Sequence, residues 1–301
     1  MLEIKDVLKQ NNLHVTSYQK LGNACLVNTN DGKKIIKKEN NKKIYEYLNS
    51  RSFTYYPVTN YSNEYIIMDY IDEVKMPNEQ KLSDMIKLVA LLHNKTTYYK
   101  EVNEDYYKKI YEDILNKINY LDSYYHDTIN LIDSKIYMSP SEYLLANGIS
   151  KIFNSLNFCH HELEEWYELV KAKKNERYVV VHNNLELDHF LCNDSSYLIS
   201  WSKAKCDIPV FDFYKLYKKH ALEYDFNSLL KLYEKDYPLL KDERKLLFVL
   251  ISIPYVDKIN WSLKEYELCK KISSLLDYLY KTDNLISPYY SNDTIDNKYN
   301  E

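Results

Sequence analysis

Glycine is nearly missing from this 301-residue chain, which has only Gly22, Gly32 and Gly148. A flexible glycine-rich loop that closes over phosphates is thereby excluded, since such a loop needs several residues free to take positive φ. Arginine is equally sparse: of 40 basic residues only Arg51, Arg177 and Arg244 are Arg. Lys, Asn, Tyr and Ile dominate instead, as AT-rich coding gives irrespective of function, so the 33 tyrosines say little about aromatic binding surfaces. The five cysteines (Cys25, Cys159, Cys192, Cys206, Cys269) form no close pair that would suggest zinc or redox chemistry. They read as reduced, mostly buried thiols of an intracellular protein. No apolar run approaches the ~20 residues of a membrane span, and MLEIKDVLKQNN is too charged for a signal peptide. A soluble, cytoplasmic protein is expected. With a net charge of -4, nothing global draws the chain to nucleic acid or an anionic membrane.

What is present is enough apolar residue, 45%, to bury a core in one large domain or two lobes. Residues 2–10 read as a short helix. HVTSYQKL, ACLVNT and KKIIKKE then read as strands, with Asp31-Gly32 as a hairpin turn because both positions tolerate positive φ. NKKIYEYLNSR reads as a short amphipathic helix, and SFTYYPVTNYS and EYIIMDYI as two further strands before an acidic connector at Asp69–Glu73.

Beyond about residue 79 helices prevail. Leu82, Met85, Ile86, Val89 and Leu92 share one face, and Leu163, Trp166, Tyr167 and Val170 repeat the spacing. Ser139-Pro140-Ser141-Glu142 supplies the start of a long helix. Only residues 178–201 interrupt, as YVVV, FLC and YLISW. The tail from Ser287 lacks periodicity, and no internal repeat is evident. The expected division is a small lobe over 1–72, a helical lobe with a β insert over 73–286, and a flexible tail over 287–301: an α+β chain.

At 178–219 the sequence VVVHNNLELDHFLCNDSSYLISWSKAKCDIPVFDFYKLYKK resembles the aminoglycoside phosphotransferase and choline kinase superfamily. Its members show His-Gly-Asp, four residues and Asn, then a strand ending Ile-Asp-Trp or Ile-Asp-Phe. CDIPVFDFYKLYKK is similar to the corresponding part of the spore coat kinase-like branch that includes coat protein S. GKKIIKKE, EYIIMDYIDE and LVALLHNKT also resemble that branch, so the likeness spans roughly residues 13–285. It implies a protein-kinase-like two-lobed fold, with a small antiparallel β lobe and a mainly helical lobe.

The resemblance sets His182 at the family His, Asn183 at its Gly and Asn184 at its catalytic Asp. His189 stands at the metal-binding Asn and Ser200 at the metal-binding Asp, while Ser202 holds a position that is often acidic. Asn184 carries no charge and takes up no proton at neutral pH, a loss worth ~10²–10⁴ in rate where a general base is needed. His189 and Ser200 are poor ligands for magnesium, a hard ion that prefers carboxylate and carbonyl oxygens. A compensated site built from Glu186, Asp188 or Asp207 remains open. His182 and Asp212 are expected in structural roles, the one bracing the loop and the other supporting it or sitting as a first-turn helix acid.

In the small lobe Lys37 fits the strand lysine that would touch nucleotide phosphates, with Lys38 as the alternative because strand side chains alternate faces. The family's helix Glu would fall near Asn41, for which Glu39 or Glu46 could substitute. Gly22 is the one glycine near a phosphate-covering loop. His160-His161-Glu162 lacks the second His of a metal helix, since position 165 is Glu, and reads as a solvated face. Cys159, Cys192 and Cys206 could gather on folding, although buried inert thiols are the default.

The expected function is therefore that of a pseudokinase, a non-catalytic scaffold or binding protein. The resemblance places it in spore coat assembly, in the mother cell or coat layer, with spore coat proteins as partners. No cofactor is expected, and ATP without magnesium stays open. The alternative is a weakly active ATP-dependent phosphotransferase acting on a small-molecule hydroxyl.

Overall fold

The computed structural model describes residues 13–39, 41–62 and 64–291. The expected helix at 2–10 and residues 292–301 of the expected tail lie outside them.

In chain order come β1 (Val15–Leu21), β2 (Ala24–Thr29), β3 (Gly32–Lys38), α1 (Lys42–Ser50), β4 (Val58–Ser62), β5 (Tyr65–Asp69), α2 (Asn78–Thr96) and β6 (Tyr98–Glu101). They are followed by α3 (Glu104–Asp133), α4 (Pro140–Val170), β7 (Asn175–Val181), β8 (Phe190–Cys192), β9 (Ser196–Leu198) and β10 (Lys205–Asp207). Helices α5 (Val210–His220), α6 (Phe226–Asp236), α7 (Lys241–Ser252) and α8 (Glu265–Ser291) complete the described chain. Each strand and helix expected among the described residues has a counterpart, but two are shorter than expected: SFTYYPVTNYS is a strand only from Val58, and YLISW only to Leu198, before the turn at Ser200 and Trp201. β6 and β10 were not expected, so strands extend beyond the 178–201 window. Helix α8 continues through Pro288 to Ser291, past the break expected at Ser287.

The chain divides into two compact units, and not at residue 72. The first comprises residues 13–98, 178–207 and 232–237. Its main sheet is antiparallel in the order β1-β2-β3-β5-β4, with Cys25 opposite Ile36 and Ile36 opposite Ile67. Cys25, Val27 and Ile36 alternate inward to form a small core. At the β2–β3 hairpin Thr29 pairs with Gly32. The positive φ, 101°, falls on Gly32, so Asp31 does not take the left-handed conformation expected of it.

Trp201 joins the insert to the rest of this unit. Its fully buried ring lies 6.1 Å from Phe53, 6.3 Å from Tyr45 and 6.4 Å from Tyr56. The Asn41 side chain donates to the Trp201 carbonyl, Leu198 N–H to the Tyr55 carbonyl at 2.9 Å and Val74 N–H to that of Cys192 at 2.9 Å. Within α2, His93 is buried with Nδ1 2.6 Å from the Tyr233 hydroxyl.

The second unit, residues 99–177, 208–231 and 238–291, is built on the long helices α3 and α4. Ser139 caps α4 in a reciprocal capping box with Glu142. Gly148 lies where α8 comes close: a Cβ there would fall on Leu276 Cδ1 and force that side chain to shift. Helix α7 is tied to α4 by the Ser155 hydroxyl on the Ser252 carbonyl at 2.6 Å, and to α8 by the Tyr278 hydroxyl on that of Ile251 at 2.7 Å. Arg177 forms a buried two-pronged pair with Glu243, Nε to Oε1 at 2.7 Å and Nη2 to Oε2. Among the described residues no helix is long and apolar enough to cross a membrane.

Candidate functional site

Strand β7 supplies a run of buried valines, Val179 to Val181, that carries the chain into the core and delivers His182 at its end. β10 pairs antiparallel with β7, Lys205 opposite Val181, and so brings the Ser200–Asp207 segment alongside. The His182 ring is fully buried, edge-on to Trp201 at 4.8 Å, with Nε2 2.9 Å from the Ile199 carbonyl. A carbonyl only accepts, so Nε2 carries the hydrogen and His182 braces the strand leading to Ser200.

Asn183, at the position the resemblance gives to glycine, has φ of 61°. Asn is one of the few side chains that enter the left-handed region readily, and the amide of Asn183 donates to the Lys203 carbonyl at 3.0 Å. The turn shape is kept without glycine.

Asn184 and His189 face each other across a single turn. His189 Nδ1 lies 2.7 Å from the Asn184 carbonyl, which makes Nδ1 the protonated nitrogen and leaves Nε2 with the lone pair. The Asn184 amide nitrogen is 3.3 Å from the same Nδ1. Two donors would then oppose each other, so the reversed amide orientation, Oδ1 toward the ring, is the one chemistry favours. His189 N–H donates to the Glu186 carbonyl at 3.0 Å, and the His189 carbonyl accepts from Ile199 N–H at 2.9 Å. His182, Asn184, His189 and Ile199 thus belong to one hydrogen-bonded loop system, and Ser200 follows Ile199 in the chain.

Ser200 has φ 67° and ψ 49°, a left-handed conformation that costs an ordinary L-residue ~1–2 kcal/mol and that Asp or Asn accepts more easily. Ser202 is exposed in the following turn. As a cation site these positions offer an amide, an imidazole nitrogen and a hydroxyl. That donor set does not fit magnesium, which is held through carboxylates. Of the three acids considered as replacements, Asp188 is exposed, Glu186 is half-buried, and Asp207 is ion-paired with Lys205.

Lys37 lies on β3 with its ammonium 2.9 Å from Glu39 Oε2, two residues along the same chain. Glu39 is buried and its other oxygen accepts from the buried Tyr45 hydroxyl at 2.9 Å. Desolvation, reinforced by Glu39, pushes the Tyr45 phenol far above its ordinary pKa and keeps it a donor. The ion pair that the sequence left in doubt is therefore made, through Glu39. Glu46 pairs with Lys42 at 3.6 Å, and Lys38 turns outward to Glu64 at 2.6 Å. Gly22 sits in the β1–β2 turn at φ 55°, with open space where a Cβ would be.

Asp212 is buried in the first turn of α5, in the second unit. The His160–Glu162 stretch is only partly a solvated face. His160 and His161 are exposed, but Glu162 is buried and receives Lys245 at 2.7 Å and the Tyr290 hydroxyl at 2.6 Å. His161, Glu162 and Glu165 have side-chain ligand atoms within 4.8 Å of one another, and the Lys245 ammonium is already shared between the two carboxylates, lying 2.7 Å from each. Of the cysteines, Cys25 and Cys159 are buried, Cys192 and Cys269 half-buried and Cys206 exposed, so the expectation of mostly buried thiols holds for two of five.

No protein-family description matches the sequence, and no curated protein is significantly similar to it. Solved structures do match. An aminoglycoside phosphotransferase from Alicyclobacillus acidocaldarius superposes with a TM-score of 0.67 at 11% identity, over 94% of this chain and 95% of that one. Spectinomycin phosphotransferase in its AMP complex gives a TM-score of 0.50 at 14% identity, over 93% and 98%. These likenesses show the fold alone, which is α+β and kinase-like.

Proposed function

We propose that this chain is a pseudokinase: it keeps the phosphotransferase-like fold and serves as a scaffold or binding protein without metal-dependent phosphoryl transfer. Phosphoryl transfer on this type of fold depends on a carboxylate that orients the attacking hydroxyl and on oxygen ligands that hold magnesium against the phosphates. The observation that carries the reading is the loop at the positions the resemblance assigns to those groups: His189 is committed through Nδ1 to the Asn184 backbone at 2.7 Å, and Ser200 directly follows Ile199, whose N–H donates to the His189 carbonyl. Its setting is spore coat assembly, and its partners are coat proteins met in the mother cell or coat layer. That part rests on the sequence resemblance alone.

The Lys37–Glu39 pair supports a second reading, that nucleotide still binds and a weak phosphotransferase activity on a small-molecule hydroxyl persists. A thermal-shift assay with ATP, with and without magnesium, separates the two. A ligand at 100 times its Kd stabilises its protein by ~2.7 kcal/mol. The parent is expected to show no magnesium-dependent shift. The triple variant Asn184→Asp, His189→Asn, Ser200→Asp is expected to gain one, together with ATP turnover. Magnesium-dependent ATP turnover by the parent would overturn the pseudokinase reading. Recovery of proteins bound to the chain in sporulating cells tests the scaffold role.

A further inference from the structure

In the second unit, the loop after α7 and the first half of α8 border an open cleft of about 510 Å³, within the range of small-molecule sites. The apolar surface it offers comes from the half-buried Tyr255 and Val256, with Ile259, Ile272 and Leu275 buried beneath as its floor. The loop wall is fastened at three points: Ile259 N–H donates to the Tyr124 hydroxyl at 2.8 Å, the Tyr125 hydroxyl donates to the Val256 carbonyl at 3.1 Å, and the Tyr255 ring rests on Tyr278 at 5.1 Å. A cleft so held does not have to be ordered when a ligand enters.

The charges at its edge are one-sided. Lys258, Lys270 and Lys271 line it against the single carboxylate of Glu267. Lys258 lies over the Tyr120 ring at 5.7 Å, whereas Lys270 and Lys271 are exposed and have no ion-pair partner among the described residues. Two unpaired ammonium groups beside a fixed apolar hollow are complementary to a molecule with an apolar body and an anionic end.

We propose that this cleft binds an anionic amphiphile of the fatty carboxylate class, its chain against Tyr255 and Val256 and its carboxylate at the edge that carries Lys270 and Lys271. The site lies wholly within the second unit and does not depend on the pseudokinase reading.

Calorimetric titration of the full chain with sodium decanoate and decyltrimethylammonium below their micelle concentrations, and with decanol below its solubility limit, tests it. Decanoate is expected to bind saturably at one site, at least tenfold more tightly than the cationic analogue. Each methylene added from octanoate to decanoate is expected to tighten binding about fourfold, the value for burying one CH₂. The surface variant Lys270→Glu, Lys271→Glu, checked for parental melting, is expected to weaken decanoate at least tenfold and leave decanol unchanged. Equal affinity for all three head groups, a charge-reversed variant that binds decanoate as the parent does, or no saturable binding would each overturn the proposal.

Discussion

Replacing Lys37 by Met tests what that lysine does. If its chief role were to hold nucleotide phosphates, its removal would leave the free protein as stable as before. The geometry gives a different expectation. Glu39 is buried, with a side chain 1% exposed, and its two partners are the Lys37 ammonium and the Tyr45 hydroxyl, each at 2.9 Å. Lys37→Met leaves a buried carboxylate with one neutral donor. Removing one partner of a buried pair costs ~3–5 kcal/mol, and about 3 kcal/mol is expected here because the Lys37 side chain is itself 19% exposed and Tyr45 still donates. Adding Glu39→Gln removes the stranded charge and keeps an acceptor for Tyr45, so the double variant should regain ~1–2 kcal/mol as a coupling energy. Urea unfolding of the parent, both single variants and the double variant completes the cycle. A Lys37→Met protein within about 0.5 kcal/mol of the parent, inside the usual scatter of surface substitutions, would refute the reasoning and return Lys37 to a purely ligand-facing role.

Three further outcomes follow from the structure. Glu243→Ala should destabilise the protein by ~3–5 kcal/mol, because it strands the buried Arg177 guanidinium and leaves Leu240 N–H, 2.9 Å from Glu243 Oε2, without its acceptor; Arg177→Met with Glu243→Met should be milder than Glu243→Ala in chemical unfolding. In thiol labelling at pH 8, exposed Cys206 should react first, while Cys159, whose thiol pKa is pushed up by burial and further by Glu162, should react only on unfolding; fast labelling of native Cys159 would contradict its burial. The hydrogen bond from Lys135, then that from Ser139 N–H, holds the Glu142 carboxyl below its ordinary value of 4.5. A depressed folded pKa makes its contribution complete above that value and lost as pH falls through the lower one, so the advantage of the parent over Glu142→Gln in melting temperature should shrink on acidification below pH ~4.5.

Much of the fold could be read from residue order because period and capping are local properties. The apolar spacing of α2 from Leu82 to Leu92 is complete within about three helical turns, and the Ser139–Glu142 box within one. β10, Lys205–Asp207, is different: its three residues carry no alternation, and they are a strand only because Val179 to Val181 lie beside them. β6, Tyr98–Glu101, is equally silent in sequence, and the Tyr98 ring stacks on Tyr178 at 5.9 Å, a residue 80 positions away. Position 162 shows the opposite failure. Glu within CHHELEEW reads as solvated helix face, yet Lys245 and Tyr290 enclose it, and neither is its neighbour along the chain.

The candidate site divides in the same way. Sequence alone determined which atoms stand at 184, 189 and 200, an amide, an imidazole and a hydroxyl, because side-chain identity is covalent; that these are the positions of the acid and the metal ligands is what the resemblance implies. The tertiary structure decided how those atoms are used: which nitrogen of His189 bears its proton, that Ser200 turns left-handed, and that Lys37 is paired through Glu39. Each of these depends on backbone carbonyls, dihedral angles and burial that exist only once strands distant in sequence are held side by side.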